Sequence, residues 1–426
     1  MAEVPVIQIL DKKDFFKQAL VPLPNELPLP PLAASSLRIK TEVMCLTMNN
    51  FTYCKLGSLL NWWDVHPLPA STLAPYNDAD TYGRINCWGY ARVLESTSAA
   101  APPGSYLWGY LPIGTLPLDM DVRAGAVPGQ VLVTSAYRQH LMPIYNRYIV
   151  VPDPEALSAE IARRADGVAY DALLRVMHET AYLLSAFVFA PDPHATVPPG
   201  PDPTGWGAGK ADLDDATVLV FAPGSKVALA FAHVLRSPAR TGAKPRRVVG
   251  VASEWSRSFV EGTGLYDAVM SSSSQTDPVA VLAGLGADPK DLRDDKVVIF
   301  DFGGRGGAPA KWAAALQPAV AELLFVAIGG EVSDPGKDDG TAAGKPPAPP
   351  FEMVQANADD MRSAAMGKVG ERAYFEGLGA SWVTMREEGV KGFKVRWGEG
   401  MVDVREGWDE LARGRVRPDE GLAFKL

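Results

Sequence analysis

The chain has 426 residues, of which 47% are apolar and 21% are charged, and its formal net charge is −9 at pH 7. This length and apolar content suffice for two hydrophobic cores, and the negative charge argues against nucleic acid or an anionic membrane as the main partner. No apolar run reaches the roughly 18 residues of a membrane-spanning helix, and the N-terminal stretch is charged by Asp11 without a signal-peptide core. We therefore expect a cytoplasmic protein.

Residues 1–160 predict a mostly antiparallel, barrel-like domain. Short runs of β-branched and aromatic residues are separated by Gly, Pro and Asn, which is typical of strands joined by tight turns. The runs that predict strands are LRIKTEVMCLTM, INCWGYARVLEST, SYLWGYLPIG, GQVLVTSA and NRYIVVP.

A helical segment follows the predicted barrel. Apolar residues recur at three- and four-residue spacing from Asp171 to Phe189, as on the buried face of a helix. Residues 190–214 are then dense in Pro, Gly and Asp, which predicts a long surface loop.

A strand–helix–strand unit is predicted within residues 217–250. A β-branched run ends in a small-residue turn at residues 222–225, a helical pattern begins at Lys226, and a second apolar run begins at Arg247. In such a unit the N–H groups at the start of the helix can bind a pyrophosphate. The turn lacks the pattern G-x-G-x-x-G and keeps only Gly224, so an ordinary structural turn fits the sequence equally well.

The second half of the chain continues to alternate strands with helices. Strands are predicted at residues 296–304 and 322–332, and residues 161–350 as a whole predict a parallel sheet with helices on both faces. The low-complexity stretch at residues 334–350 predicts a mobile loop. Residues 351–426 predict helix with two short strands, around FKVRW and GMVDV, in a segment that returns to the first domain.

Several segments resemble the medium-chain dehydrogenase/reductase superfamily in its zinc-free, quinone-oxidoreductase-like form. LTMNNFTY at residues 46–53 is similar to the segment that lies near the nicotinamide in that superfamily. Residues 246–271 resemble its second strand, helix and third strand, and GRVRPDEGLAFKL at residues 414–426 resembles its C-terminal ending. The LTMNNFTY segment further resembles one branch of the superfamily, found in fungi and bacteria, whose function is unknown. The other segments that carry this resemblance are Trp62-Trp63-Asp64, WGYARVLES with GYLPIG, and PGSKVA.

The resemblance implies an α/β plus β fold in three parts. Residues 1–160 would form a GroES-like, mostly antiparallel barrel that binds substrate. Residues 161–350 would form a Rossmann-type, doubly wound parallel sheet that binds a dinucleotide, with the loops at 190–214 and 334–350 as insertions. Residues 351–426 would pack on the first domain. The resemblance also implies a homodimer.

The same resemblance places a site for NADP(H) on the second domain. The expected phosphate cradle consists of Gly224, Ser225, Lys226 and Val227. Lys226 could place a cation on a phosphate, although a solvated lysine in the first turn of a helix also fits. A strand-end loop over the cofactor is expected at Phe302, Gly303 and Gly304.

Residues after the second strand favour NADP over NAD. Ser253 and Arg257 suit a 2′-phosphate, whereas Glu254 would repel one if its carboxylate faced the site. A solvent-exposed acid in the first turn of a helix is the alternative role for Glu254.

Candidates for proton transfer come from both domains. The resemblance points to Asn49, Asn50, Thr52, Tyr53 and Thr180. Tyr53 is the strongest candidate for a proton donor, because a zinc-free reductase needs a protein group to protonate the reduced substrate. Alternatively, Tyr53 is a packed aromatic residue, and Asn49 and Asn50 cap a turn.

The first domain is rich in aromatic residues that could bind a flat, apolar substrate. The candidates are Trp63, Trp88, Tyr110, His140 and Tyr145, although His140 and Tyr145 could instead pack at the edge of the core. Three cysteines and five histidines are scattered without ligand spacing, so no metal site is predicted.

These observations predict a zinc-independent, NADPH-dependent reductase of an activated C=C or C=O in a small apolar, polyketide-like metabolite. A second hypothesis keeps the fold but not the cofactor, since Pro223 removes one N–H from the turn. The cleft would then perform hydrolysis, C–C cleavage or cyclisation of a secondary metabolite. A binding or scaffold protein is the third hypothesis.

Overall fold

A computed structural model describes residues 3–273, 275–285, 291–330 and 349–426. Among these residues the chain forms two compact units. Unit 1 contains the described residues up to Val176 together with Lys394–Leu426, and unit 2 contains those from Met177 to Phe393. The segment predicted to return to the first domain is therefore divided between the two units at Lys394.

The described residues form seventeen strands. In chain order they are β1 (Val6–Asp11), β2 (Gln18–Pro22), β3 (Ser36–Leu46), β4 (Tyr82–Gly83), β5 (Asn86–Ser96), β6 (Tyr106–Pro112), β7 (Leu118–Ala124), β8 (Gln130–Val133), β9 (Arg147–Val150), β10 (Thr217–Phe221), β11 (Arg247–Ala252), β12 (Ala268–Ser271), β13 (Lys296–Phe302), β14 (Glu322–Gly329), β15 (Glu352–Gln355), β16 (Lys394–Glu399) and β17 (Glu420–Lys425).

The same residues form twelve α-helices. They are α1 (Met48–Lys55), α2 (Pro154–Ala162), α3 (Asp166–Leu173), α4 (Arg175–Leu183), α5 (Ala208–Ala211), α6 (Lys226–Arg236), α7 (Glu254–Thr263), α8 (Pro278–Gly284), α9 (Ala308–Leu316), α10 (Ala358–Val369), α11 (Glu371–Glu388) and α12 (Gly400–Ala412). A π-helical turn spans Leu184–Val188, and short 3₁₀ turns lie at Trp62–Asp64, Ala136–Arg138, Pro143–Asn146, Pro193–Ala195 and Asp291–Asp294.

Unit 1 is built around a closed barrel. Its eight-stranded sheet has the order β16-β17-β3-β5-β6-β9-β8-β7, and an additional pairing of β3 with β7 closes six of these strands into a ring. All pairings in the ring are antiparallel, whereas β16 and β17 are parallel. Gly89 is needed where β5 meets β3, since a Cβ there would overlap the carbonyl oxygen of Val43. The predicted antiparallel barrel is confirmed.

Unit 2 is built around a six-stranded parallel sheet of order β12-β11-β10-β13-β14-β15. The first three strands are added in one direction and the last three in the other, which is the doubly wound arrangement of dinucleotide-binding sheets. The central strand β10 is buried along its whole length, as expected for a parallel strand covered on both faces. The predicted Rossmann-type sheet is confirmed.

Two local predictions need correction. The helix predicted from Asp171 to Phe189 is interrupted, with α3 ending at Leu173 and α4 beginning at Arg175. Two side chains of the barrel bind carbonyl oxygens at this break: Trp108 Nε1 donates to Asp171 (2.8 Å) and the Cys45 thiol to Ala172 (2.9 Å).

The GMVDV stretch is not a strand but the start of helix α12. The residues that α12 buries include Met401, Val404, Trp408 and Leu411, whose spacing of three and four residues matches a helix and not the alternation of a strand. The predicted strand at residues 322–332 is observed as β14, with residues 331–332 outside the described part of the chain. Most of the predicted loop at residues 334–350 also lies outside it.

Candidate active site

In unit 2, three turns follow the carboxyl ends of neighbouring strands. The register of β10 pairs Phe221 with Val251 of β11 on one side and with Asp301 of β13 on the other. These three strands therefore end at the same edge of the sheet, where ligands of doubly wound sheets bind.

The turn after β10 leads directly into helix α6. Ala222 has a positive φ of 52°, an unusual conformation for a residue with a Cβ, and Ser225 N donates to Ala222 O (2.9 Å) to close the turn. Ser225 is the N-cap residue of the 11-residue helix, but its side chain forms no capping bond. Its Oγ is buried without a hydrogen-bond partner. An orphaned hydroxyl beside a helix N-terminus fits a bound phosphate oxygen.

Two residues that the sequence reasoning missed hold this turn in place. The Tyr266 hydroxyl donates to the carbonyl oxygen of Pro223 (2.9 Å), and burial raises the pKa of this phenol, which keeps it protonated. Gly250 on β11 lies against the Pro223 ring, so that an added Cβ would come within 3.2 Å of it. No local pattern could reveal either contact, because each joins residues that are far apart in the chain.

The predicted cradle residues are therefore adjacent but differ in their surroundings. Lys226 begins helix α6 and places its Nζ 5.6 Å from the centre of the Phe393 ring. Gly224 packs near Val260, where an added Cβ would lie 3.3 Å from the side chain. Val227 follows in the first turn of α6 and is half-buried.

The turn after β11 contains Ser253, Glu254 and Arg257. Ser253 is the N-cap residue of α7 and its Oγ lies 3.1 Å from the Oγ of Ser256. Glu254 accepts a hydrogen bond from Ser271 Oγ at the end of β12 (2.7 Å). Arg257 forms an exposed pair with Glu261 (2.9 Å). Exposed pairs of this kind are weak, so Arg257 can exchange Glu261 for a phosphate at small cost.

The turn after β13 is held by Asp301. Its Oδ1 accepts hydrogen bonds from the backbone N–H groups of Gly303 (3.0 Å) and Gly304 (2.7 Å). Gly303 has a φ of 108°, which a side chain would disfavour. Phe302 is buried and packs near Phe231 of α6, with ring centres 5.5 Å apart, which makes it a core residue as well as a candidate cofactor neighbour.

In unit 1, Tyr53 is the centre of a buried aromatic group that we call the Tyr53 cluster. Its members are Tyr53, Trp62, Trp88, Tyr110 and Tyr145. The Tyr53 ring centre lies 4.8 Å from that of Trp62, 5.3 Å from that of Tyr110 and 6.1 Å from that of Tyr145. The structure thus brings three of the five predicted substrate residues together with Tyr53, and adds Trp62, which the sequence reasoning did not select.

The Tyr53 oxygen receives two N–H hydrogen bonds. Asn49 Nδ2 donates to it from one turn earlier in α1 (3.0 Å), and Trp88 Nε1 donates from β5 (2.9 Å). Burial raises the pKa of this phenol, while the hydrogen bonds from Trp88 and Tyr145 act in the opposite direction. The arrangement holds a protonated phenol whose conjugate base would find donors already in place.

The other predicted residues lie in different surroundings. Asn50 completes a capping box with Thr47 and donates to the carbonyl oxygen of Asn86 (3.0 Å), so both ends of its amide are used in structure. Thr52 in unit 1 and Thr180 in unit 2 are half-buried.

Trp63 and His140 lie outside the Tyr53 cluster. Trp63 is buried against Gly57 and Gly83, and exposed His140 lies 3.2 Å from the carbonyl oxygen of Asn61. Among the described residues, no group of His, Cys, Asp or Glu side chains could hold a metal ion. Within the same residues, no helix is long and apolar enough to cross a membrane.

The sequence profile of a family described as protein of unknown function, DUF2855, matches residues 44–417. The chain belongs to the DUF2855 family. This match agrees with the predicted place in a branch of unknown function. No curated protein matches the sequence of this DUF2855 member.

Solved structures, two of them enoyl reductases, share the fold of this DUF2855 protein. CurA from Vibrio vulnificus, in complex with NADPH, is 11% identical, with a TM-score of 0.55 over 99% of this chain and 98% of that one. A mutant enoyl thioester reductase from Candida tropicalis is 12% identical, with a TM-score of 0.54 over 100% of both chains. The CurK enoyl reductase is 14% identical, with a TM-score of 0.53 over 99% of both. The shared fold agrees with the predicted barrel followed by a Rossmann-type sheet.

Proposed function

We propose that this DUF2855 protein is a zinc-independent reductase that uses NADPH to reduce an activated C=C or C=O bond in a small apolar, polyketide-like metabolite. The observation that carries the proposal is the buried Tyr53 phenol, whose oxygen accepts hydrogen bonds from Asn49 and Trp88. Such an oxygen can give up its proton in a site lined by aromatic rings. The fold is similar to that of CurA, whose structure was solved in complex with NADPH, and to those of enoyl reductases. This similarity supports the choice of reaction.

The cofactor would be held by the three turns of unit 2. Ser225, with its unpartnered hydroxyl, and the N–H groups at the start of α6 would bind the pyrophosphate. Ser253 and Arg257 would bind the 2′-phosphate that distinguishes NADPH from NADH. Glu254 accepts a hydrogen bond from Ser271 at the end of β12 and has no part in binding this phosphate.

When bound, NADPH supplies a hydride, which carries two electrons to the electrophilic carbon of the substrate. Addition of the hydride would move the π electron pair of the C=C or C=O bond to its other atom, and Tyr53 would donate its proton to that atom. Asn49 and Trp88 stabilise the phenolate that remains, until water returns a proton to it. The aromatic rings of the Tyr53 cluster orient a flat substrate and exclude water from the reacting atoms.

The proposal is tested first by thermal unfolding of the full chain with and without NADPH, NADP and NADH. A ligand that binds only the native state, present at about 100 times its dissociation constant, stabilises that state by about 2.7 kcal/mol. We expect stabilisation by NADPH that is larger than that by NADH. The matched variant Ser225→Ala should weaken NADPH binding without destabilising the free protein, because the hydroxyl it removes has no partner. Loss of NADPH absorbance with enones and quinones then measures the reaction.

One observation favours a second function. Pro223 has no N–H to offer a phosphate, and its carbonyl oxygen is bound by Tyr266. If no nucleotide stabilises the protein, the reductase is refuted. A member of the fold that performs non-redox chemistry, namely hydrolysis, C–C cleavage or cyclisation, then becomes the leading hypothesis.

A further inference from the structure

Unit 1 contains a buried arginine without a counter-ion. Arg84 lies between β4 and β5 and is only 6% exposed. Its Nε is buried without a hydrogen-bond partner, and no hydrogen bond or ion pair of its guanidinium occurs in the described part of the chain. Burial lowers the pKa of Arg84 to about 10, with only the nearby Tyr137 acting in the opposite direction. The group therefore remains charged at neutral pH.

Other buried arginines of the same chain have acceptors. Arg38 is equally buried but pairs with Glu95 and Asp119, both at 2.7 Å. Arg240 has no carboxylate partner but donates to the carbonyl oxygens of Ser185 and Phe189. An isolated buried charge costs several kcal/mol, so proteins pair such charges or place them where a ligand neutralises them. Arg84 has neither kind of protein acceptor among the described residues.

The two charged groups that act on the buried His66 beside Arg84 are both positive. His66 is buried nearby, and burial together with the charges of Arg84 and Arg138 holds the pKa of its imidazole well below the usual range. The neutral His66 ring lies 3.2 Å from the Asn86 amide. Arg138 is fully buried and donates to neutral acceptors, among them Tyr148 Oη (3.0 Å) and the carbonyl oxygen of Tyr145. The cluster therefore contains two guanidinium groups and, among the described residues, no carboxylate that pairs with them.

Tyr137 lies at the surface beside this cluster. Tyr137 is 38% exposed, and its ring centre lies 6.2 Å from that of His66. A ligand group that passes Tyr137 could therefore meet His66 and Arg84. The guanidinium fork matches a carboxylate in shape and charge. Arg138 already donates to Tyr148 and Tyr145, so Arg84 is the guanidinium that a ligand carboxylate would meet.

We propose that Arg84 binds a carboxylate group of the substrate, so that the reductase, if the proposed function holds, acts on apolar molecules that carry one carboxylate. Arg84 is a binding residue and takes no part in the transfer of hydride or proton. Its role is to fix one end of the substrate and to exclude uncharged analogues.

The test uses the full chain without nucleotide and sodium benzoate as the probe, at constant ionic strength set with sodium chloride. Thermal unfolding is followed as a function of benzoate, of its uncharged analogue benzamide and of inorganic phosphate. The variants are Arg84→Met, which removes the charge, Arg84→Lys, which keeps the charge without the fork, and Arg123→Met, an exposed control in the same unit.

Benzoate should raise the melting temperature to a plateau, whereas benzamide should not. Arg84→Met should weaken benzoate binding by about 10- to 100-fold, as expected for loss of a charge-assisted hydrogen bond. The same variant should melt no lower than wild type in the absence of benzoate, since it removes an unpaired buried charge. Arg84→Lys should bind with intermediate affinity, and Arg123→Met should bind like wild type.

Three outcomes would overturn the assignment. An equal rise in melting temperature with benzamide would show that the charge of the ligand plays no role. A rise with benzoate that persists in Arg84→Met would show that Arg84 plays no role. Stabilisation by phosphate alone would assign a phosphate-bearing ligand instead. The benzoate test contains no nucleotide, so its result is independent of the NADPH test. A protein that binds benzoate but not NADPH would refute only the reductase. A protein that binds NADPH but not benzoate would refute only the carboxylate site.

Discussion

Tyr53 shows how one side chain can be both a core residue and a candidate acid. It is 3% exposed, as the packed aromatic alternative requires, yet its oxygen accepts two N–H groups, as the proton-donor hypothesis requires. The sequence could identify the residue but not choose between these roles, because Trp88 lies 35 residues away on another strand. The geometry makes the two roles compatible.

Replacing Tyr53 by Phe should lower kcat by about 10²- to 10⁴-fold, the usual contribution of a general acid. It should also cost about 1–3 kcal/mol of stability, because the N–H groups of Asn49 and Trp88 lose their acceptor. Steady-state kinetics and urea unfolding measure the two effects. Tyr106→Phe is the control, since this buried phenol contacts Glu42 instead. An unchanged kcat in Tyr53→Phe would assign the proton to water.

His66 predicts a loss of stability in mild acid. Its pKa is lowered in the folded state, so below pH 6.5 the unfolded chain binds more protons than the folded one. The free energy of unfolding should therefore fall as the pH drops below 6.5, by up to about 1.4 kcal/mol per pH unit. His66→Gln should flatten this fall, and His140→Gln, at an exposed position, should not. Identical urea-unfolding profiles for His66→Gln and wild type would contradict the prediction.

At the scale of elements, the turn after β10 depends on the strand beside it. Pro223 packs on Gly250 of β11 and is bound by Tyr266, which follows α7. The sequence predicted the strand, the turn and the helix from local composition. It did not show that a glycine one strand away and a distant tyrosine fix the turn.

Gly250→Val should distort this turn. The new side chain must displace the rigid Pro223 ring, at a cost of about 1–3 kcal/mol. NADPH binding should weaken as well, because Ser225 follows Pro223 closely. Gly262→Ala is the matched control, since an added Cβ meets nothing within 4 Å in α7 and should stabilise the helix slightly. Calorimetric titration and thermal unfolding measure both effects, and normal NADPH affinity in Gly250→Val would separate the turn from the cofactor site.

At the scale of the whole molecule, unit 2 is tied together by a buried ionic network. Arg362 of α10 donates to Glu179 of α4 (2.5 Å), and the Tyr374 hydroxyl of α11 donates to the same carboxylate (2.7 Å). The arginine and the glutamate are 183 residues apart. The sequence around Arg362 and around Glu179 does not indicate that these residues are buried or that they pair with each other.

Arg362→Met should therefore be strongly destabilising, by about 3–5 kcal/mol, because the carboxylates of Glu179 and Asp359 both lose the guanidinium that pairs with them. Arg396→Met removes an exposed pair with Glu410 in unit 1 and should change stability by no more than about 0.5 kcal/mol. Chemical unfolding of both variants provides the comparison. Similar small losses in both would show that the network contributes little.

The sequence by itself determined the order of a barrel followed by a Rossmann-type sheet, the turn at residues 222–225 and the choice of Tyr53. The order of the domains and the turn follow from periodicity and composition within short windows, since strands and helices have different repeats, whereas the choice of Tyr53 follows from the family resemblance. Only the tertiary structure decided that Tyr53 has two N–H donors, that Ser225 Oγ and Arg84 Nε have no hydrogen-bond partner among the described residues, and that GMVDV begins a helix. The physical reason is that burial and pairing depend on which distant segments the topology brings together, and local sequence does not encode that information.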